Sequence, residues 1–281
     1  MTLRQALTLA TQQLATSEHL RANAHRDAEL LLLHTLQIPR TTLLAYPNRD
    51  LSPADEALYE SQINRRLKNE PIQYITGQQE FYGLAFKVTP AVLIPRPETE
   101  HLVEAVLHRL PQNQPLRIVD IGTGSGAIAI ALAVHLPQAH ITALDLSPEA
   151  LKIAQANAET HTVANRITFL QSDLLAAVAN EAPYDAIVSN PPYIPQTDSP
   201  TLHPEVRDHE PHTALFAGTE GLDIYRRLIP QAHALLKPNG FLALEIGHGQ
   251  REALAVLLHD WHNVNFVDDL QHIPRVALAI R

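Results

Sequence analysis

The chain contains no cysteine, which excludes disulfides and any thiolate nucleophile or thiolate metal ligand. It also lacks a long apolar run. The longest, residues 127–134, is far too short to cross a bilayer, and residues 1–20 carry polar side chains throughout, so no membrane-spanning or secretory segment is expected. Positive charge is in deficit, with 21 Lys and Arg against 30 Asp and Glu and a net charge of -9. Such a chain has no global positive field for gripping a phosphate backbone, which counts against a nucleic-acid partner. No Ser, His and Asp order suggests a hydrolytic triad, and the 16 histidines show no metal-ligand spacing, so no metal is expected. A cytoplasmic protein is the resulting expectation.

With 281 residues, 45% of them apolar, the chain can bury one full core and a smaller one. Residues 2–70 read as helices. Leu3, Ala6, Leu7 and Leu14 recur near helical spacing, residues 28–36 are leucine-rich, and Ser52-Pro53-Ala54-Asp55 marks a helix start, a capping-box variant with Asp at the third helical position. This region shows no catalytic cluster, and Arg65, Arg66 and Lys68 read as a solvated basic face. Near Glu70-Pro71 the pattern turns to alternation, and residues 80–88 read as a hairpin turning at Gly83. The expected division is a helical domain over 1–75, a hairpin connector over 76–95 and an α/β domain over 96–281.

From Leu116 onward strands and helices alternate: strands at 116–121, 140–146, 166–173 and one ending at Asn190, with helices at 125–136 and 148–160 between. A helix at 222–236, a strand at 241–246, a helix at 251–259 and two strands at 263–268 and 275–280 follow, the last pair suited to an antiparallel edge. This predicts a doubly wound, Rossmann-like sheet, in which ligands bind beyond the carboxyl ends of the strands. The Pro-, His- and acid-rich stretch 195–211 reads as a long loop beside that crevice.

Asp120-Ile121-Gly122-Thr123-Gly124-Ser125-Gly126 closes the first of these strands. Its glycines do not follow the G-x-G-x-x-G dinucleotide fingerprint, and an acid before them suits an ammonium better than a phosphate. Asp145, about twenty residues on, ends the next strand, where a carboxylate takes both hydroxyls of a ribose. Asp173 is placed to accept from an adenine amino group, and Leu174 to cover the adenine face. An ammonium, a ribose diol and an adenine without phosphate describe S-adenosylmethionine, leaving as S-adenosylhomocysteine.

The apolar run 184–188 leads into Ser189-Asn190-Pro191-Pro192-Tyr193 at the carboxyl end of its strand. Pro191 and Pro192 have no N–H, so carbonyls and the Asn190 side-chain oxygen dominate as acceptors. That suits a substrate that donates: a planar NH2 group between Asn190 and a proline-fixed carbonyl, with the Tyr193 ring on its flat face. Upstream, Leu93-Ile94-Pro95-Arg96-Pro97-Glu98-Thr99-Glu100 is stiffened by two prolines and reads equally as helix punctuation or as a site wall.

These motifs resemble class I methyltransferases that act on planar amino groups. Together with Pro71-Ile72-Gln73-Tyr74-Ile75-Thr76-Gly77 and the hairpin, they are similar, over essentially the whole chain, to the HemK-type peptide chain release factor glutamine methyltransferases. The resemblance implies S-adenosyl-L-methionine-dependent N5-methylation of the glutamine in the Gly-Gly-Gln loop of class 1 release factors. It also implies cofactor contacts at Gly122, Thr123, Gly124, Ser125, Gly126, Asp145, Leu174 and Asn190. Asn190, Pro191, Pro192 and Tyr193 would bind the glutamine, with Asn190, Pro191 and Tyr193 at the chemistry. The alternatives that remain are an adenine-N6 DNA or RNA methyltransferase, a ribosomal-protein glutamine methyltransferase and a non-catalytic adenosine-binding or translation-associated protein.

Overall fold

The computed structural model describes all residues, Met1–Arg281. They form two compact units. The smaller comprises Met1–Gly77 with Leu202–His209, and the larger comprises Gln78–Thr201 with Glu210–Arg281. No helix is long and apolar enough to cross a membrane.

The smaller unit is built on helices Leu3–Leu14, Ala24–Leu36, Arg40–Ala45, Pro53–Leu67 and Ile72–Thr76. The first begins at a reciprocal capping box between Thr2 and Gln5 and buries Leu3, Ala6, Ala10 and Leu14, one stripe of a helix. At the fourth, Ser52 accepts from the Asp55 N–H, while its hydroxyl turns to the Asp55 carboxylate at 2.7 Å. The alternation expected after Pro71 is instead the short helix Ile72–Thr76, whose side chains Tyr74 and Ile75 are buried.

Arg66 also departs from expectation: it is 4% exposed rather than on a solvated face. Its Nε donates to Asp27 Oδ2 at 2.8 Å, and its Nη2 donates to the Glu205 carboxylate. Glu205 belongs to the short helix Pro204–His209, so stretch 195–211 is structured, and its central part is a piece of the smaller unit. The other basic residues of that run differ: Arg65 makes a two-pronged pair with Glu70.

In the larger unit, β1 (Gln78–Phe81) and β2 (Leu84–Lys87) form the hairpin, turning at Tyr82-Gly83 with both residues at positive φ. Asn157 fixes it: its Oδ1 accepts from the Lys87 N–H at 2.8 Å, and its Nδ2 donates to the Lys87 and Ser125 carbonyls. The main sheet contains β3 (Leu116–Ile121), β4 (Ala139–Asp145), β5 (Ile167–Gln171), β6 (Tyr184–Ser189), β7 (Leu236–Glu245), β8 (His262–Asp268) and β9 (Pro274–Ile280). Its order is β5-β4-β3-β6-β7-β9-β8. The strands from β5 to β7 are parallel, and helices on the faces give them near-continuous apolar sequences. The helix Ala127–His135 is apolar on nearly every side, and Ala127 through Ala133 are all buried.

The last two strands refine the expected antiparallel edge. β9 is antiparallel to both neighbours and lies inside the sheet, between β7 and β8, leaving β8 as the rim. The chain winds outward from β3 through β4 to β5, then returns to place β6 on the other side of β3. This reversal is where an open α/β sheet forms its ligand crevice. Pairing of Ile121 with Ser189, reinforced by the Ser189 hydroxyl on the Ile121 carbonyl at 2.7 Å, sets the loops after β3 and β6 side by side.

Arg66→Met leaves the buried Asp27 carboxylate without its cation, so it is expected to cost about 3 kcal/mol of stability. Urea unfolding of the variant against the unaltered chain measures this.

Candidate active site

At that crevice lies a cavity of about 620 Å³ lined by Gly122, Gly124, Asp145, Leu174, Asn190, Pro191 and Pro192, among others. This is ample for a nucleoside-sized ligand. Gly122, Gly124 and Gly126 all have positive φ, the conformation that glycine enters without strain. The loop is held from the next strand: Asp145 Oδ2 accepts the Gly124 N–H at 2.8 Å, while Oδ1 accepts the Ser147 N–H at 2.9 Å. Each oxygen keeps a second lone pair for a ligand hydroxyl. Burial raises the Asp145 pKa, opposed by these backbone donors.

Thr123, Ser125 and Gly126 are not among the residues that line the cavity. They build the loop. The Thr123 hydroxyl donates to Asp120 Oδ2 at 2.6 Å, the Ser125 carbonyl takes Asn157 Nδ2, and Gly126 caps the helix Ala127–His135. Asp120 is likewise fully buried under the loop rather than facing a ligand ammonium. Burial pushes its pKa from the ordinary 3.8 to about 7, against the donors Thr123 and Ala129. Asp173 does line the cavity, but Oδ2 is held by Arg227 Nη2 at 2.6 Å. Leu174 lines it with φ of 51°, a left-handed conformation uncommon for a non-glycine residue.

Asn190 is held through one end of its amide, where Nδ2 donates to Thr99 Oγ1 at 3.0 Å. Thr99 closes the short turn Pro97–Thr99 before the helix Glu100–Arg109, so the proline-stiffened segment does form part of the site. Ala91, Val92 and Leu93 line the cavity, and Arg96 pairs with the buried Glu210. Tyr193 is clamped rather than lining the cavity. Its hydroxyl donates to Glu245 Oε1 at 3.2 Å, and Gln250 Nε2 donates to its carbonyl at 3.0 Å. A Cβ on Gly247 would lie 2.9 Å from the Tyr193 ring, so only glycine leaves that ring its place.

Sequence reasoning passed over Glu245 and Gln250. Glu245 ends the buried strand β7 and is 2% exposed. A carboxylate closing an apolar run was the available signal. Burial raises its pKa from the ordinary 4.5 to about 7; nearby Glu98 adds to the rise, while the Thr99 and Tyr193 hydroxyls and Arg275 oppose it.

The descriptions of known proteins fall in line with this geometry. Residues 5–77 match the model of the PrmC N-terminal domain, and residues 99–204 that of the methyltransferase small domain. A release factor glutamine methyltransferase of Koribacter versatilis is 46% identical over 99% of this chain and 98% of its own. Those of Moorella thermoacetica (47%, 100% and 99%) and Escherichia coli (42%, 96% and 95%) are similar. Among solved structures, a methyltransferase from Pyrococcus furiosus aligns with a TM-score of 0.53 at 17% identity, over 79% of this chain and 98% of that one. The hMettl16 catalytic domain in complex with MAT2A 3'UTR hairpin 1 aligns with a TM-score of 0.58 at 16% identity, over 89% and 90%. At such identities these two speak for the fold alone.

Because the folded carboxyl of Glu245 titrates above its unfolded value, its ionisation opposes folding. The stability it contributes is complete below the unfolded pKa and is lost as pH rises through about 7. Glu245→Gln, which does not ionise, is therefore expected to gain about 2 kcal/mol relative to the unaltered chain between pH 5 and pH 8. Urea unfolding at the two pH values reads the difference.

Proposed function

The chain belongs to the release factor glutamine methyltransferase family, and from that premise we propose that it methylates N5 of the glutamine in the Gly-Gly-Gln loop of class 1 release factors. Asn190 carries the reading: with Nδ2 committed to Thr99, its Oδ1 remains an acceptor on the cavity wall. S-adenosylmethionine, when bound, supplies a methyl on a positively charged sulfur and leaves as S-adenosylhomocysteine. The cavity suits it in size. Gly122 and Gly124 give room at the wall, Asp145 offers lone pairs for the ribose hydroxyls, and Leu174 an apolar face for the adenine.

An amide nitrogen is a poor nucleophile because its lone pair is shared with the carbonyl. Asn190 Oδ1 and the Pro191 carbonyl accept its two N–H bonds and turn the nitrogen toward the methyl. As the N–C bond forms and the C–S bond breaks, positive charge grows on the nitrogen, and the two acceptors stabilise it. The same acceptors lie at hand for the proton that the nitrogen then sheds, and no general base is required to start the reaction. Pro191 and Pro192 contribute by what they lack, since a backbone N–H aimed at this nitrogen would oppose its donors. Tyr193 lies outside the cavity lining and holds the turn in place through Glu245 and Gln250. The names of the relatives favour a glutamine amide over adenine, and with it a protein working beside translation in the cytoplasm.

Mass spectrometry of an unmethylated release factor incubated with the protein and S-adenosylmethionine is expected to show one added methyl on the Gly-Gly-Gln glutamine. Label appearing instead on adenine of added DNA or RNA overturns the reading. Asn190→Ala is expected to lower kcat about 100-fold or more, equivalent to about 3 kcal/mol of transition-state stabilisation.

A further inference from the structure

An asparagine amide has nearly the same outline when turned by half a revolution, yet the turn exchanges an acceptor for a donor. If Asn190 turned, its NH2 would face the substrate NH2 and the site would repel what it is built to hold. Thr99 is the only side chain hydrogen-bonded to that amide, and a hydroxyl accepts as readily as it donates. Thr99 alone therefore does not choose the orientation. The choice depends on where the Thr99 hydrogen goes.

Glu245 supplies the answer. Its Oε1 accepts from the Tyr193 hydroxyl at 3.2 Å, whereas its Oε2 is buried and accepts no hydrogen bond. A buried carboxyl oxygen without a donor is costly. Thr99 Oγ1, already accepting from Asn190, has a hydrogen to give, and that hydroxyl favours the charged form of Glu245. The acid is not spent on an ion pair, because Arg275, the cation acting on it, donates its Nε to Asp269 at 2.8 Å. Tyr225 donates to the Glu245 main-chain carbonyl, not to its carboxyl.

We propose that Glu245 is a positioning residue: by drawing the Thr99 hydrogen it obliges Thr99 to accept from Asn190, and so fixes the Asn190 amide with Oδ1 toward the substrate nitrogen. The same carboxyl holds the Tyr193 hydroxyl, so one buried acid orients both the acceptor and the ring of the Asn-Pro-Pro-Tyr turn. This rests on the reading that a glutamine amide is the substrate. The effect belongs to turnover more than to binding, because the acceptors matter most when charge develops on the nitrogen.

The test is steady-state kinetics with an unmethylated release factor, alongside calorimetric binding of S-adenosylhomocysteine, for Thr99→Val, Thr99→Ser, Glu245→Leu and the Thr99→Val/Glu245→Leu double variant. Thr99→Val and Glu245→Leu are each expected to lower kcat about tenfold or more, an indirect share of the effect of losing a direct stabilising contact. KM and the Kd for S-adenosylhomocysteine should stay within about threefold, while Thr99→Ser restores kcat to within about threefold. Because both residues act through one chain, the double variant should fall little below Glu245→Leu alone. Full kcat in Thr99→Val, or losses that multiply in the double variant, overturns the proposal. If Glu245→Leu does not fold, the valine and serine variants at Thr99 still decide it. Methylation by the unaltered protein with no effect at Thr99 sinks the positioning role alone. No methylation by the unaltered protein sinks the underlying reading with it.

Discussion

Two consecutive prolines at the carboxyl end of a buried parallel strand give this molecule a backbone turn that can only accept hydrogen bonds, and the site is arranged around that constraint. The strand β6 is central, with β3 and β7 on either side, so the turn after it opens at the crevice where the winding of the sheet reverses. The loop after β3 stands beside it, with Gly122 adjoining the Asn190 carbonyl. In the proposed reaction a planar NH2 group and the methyl donor would meet between these two loops. The remaining polar contacts serve the turn. Gln250 holds the Tyr193 carbonyl, Glu245 its hydroxyl, and Thr99 the Asn190 amide.

Holding a site this way has a stability cost. Asp120 and Glu245 are acids buried at strand ends, and each has a carboxyl oxygen that accepts no hydrogen bond. Both titrate near neutrality because burial disfavours their charged forms. Apolar residues in their places would suit the core better. Asp120 stiffens the glycine loop through Thr123 and Ala129, and Glu245 anchors the Asn-Pro-Pro-Tyr turn through Tyr193. Acids kept in a core against their own solvation mark a site where rigidity matters.

What the sequence made legible follows from locality. The parallel strands appear as short apolar runs, the hairpin as a turn at Gly83, and the helix after Ser52 as a capping residue followed by proline, all patterns contained within a few residues. The Asn-Pro-Pro-Tyr turn and the glycine loop were equally visible. The contacts that make them work were not, because they join residues far apart in the chain: Asn190 to Thr99 is 91 positions, Tyr193 to Glu245 is 52, and Arg66 to Asp27 is 39. The insertion of β9 between β7 and β8 is also non-local, since alternation shows that a strand exists and not which strand it joins. Thr123, Ser125 and Gly126 share a motif with Gly122 and Gly124 but hold the loop and start the next helix instead of lining the cavity, a division that the motif alone does not show.

The most direct measurement is a crystal structure of the complex with S-adenosylhomocysteine and an unmethylated release factor. The glutamine side-chain nitrogen is expected within hydrogen-bonding distance of both Asn190 Oδ1 and the Pro191 carbonyl, with Asn190 Nδ2 still on Thr99. A glutamine whose oxygen faces Asn190, or an Asn190 amide turned to present its NH2 to the substrate, would contradict that arrangement.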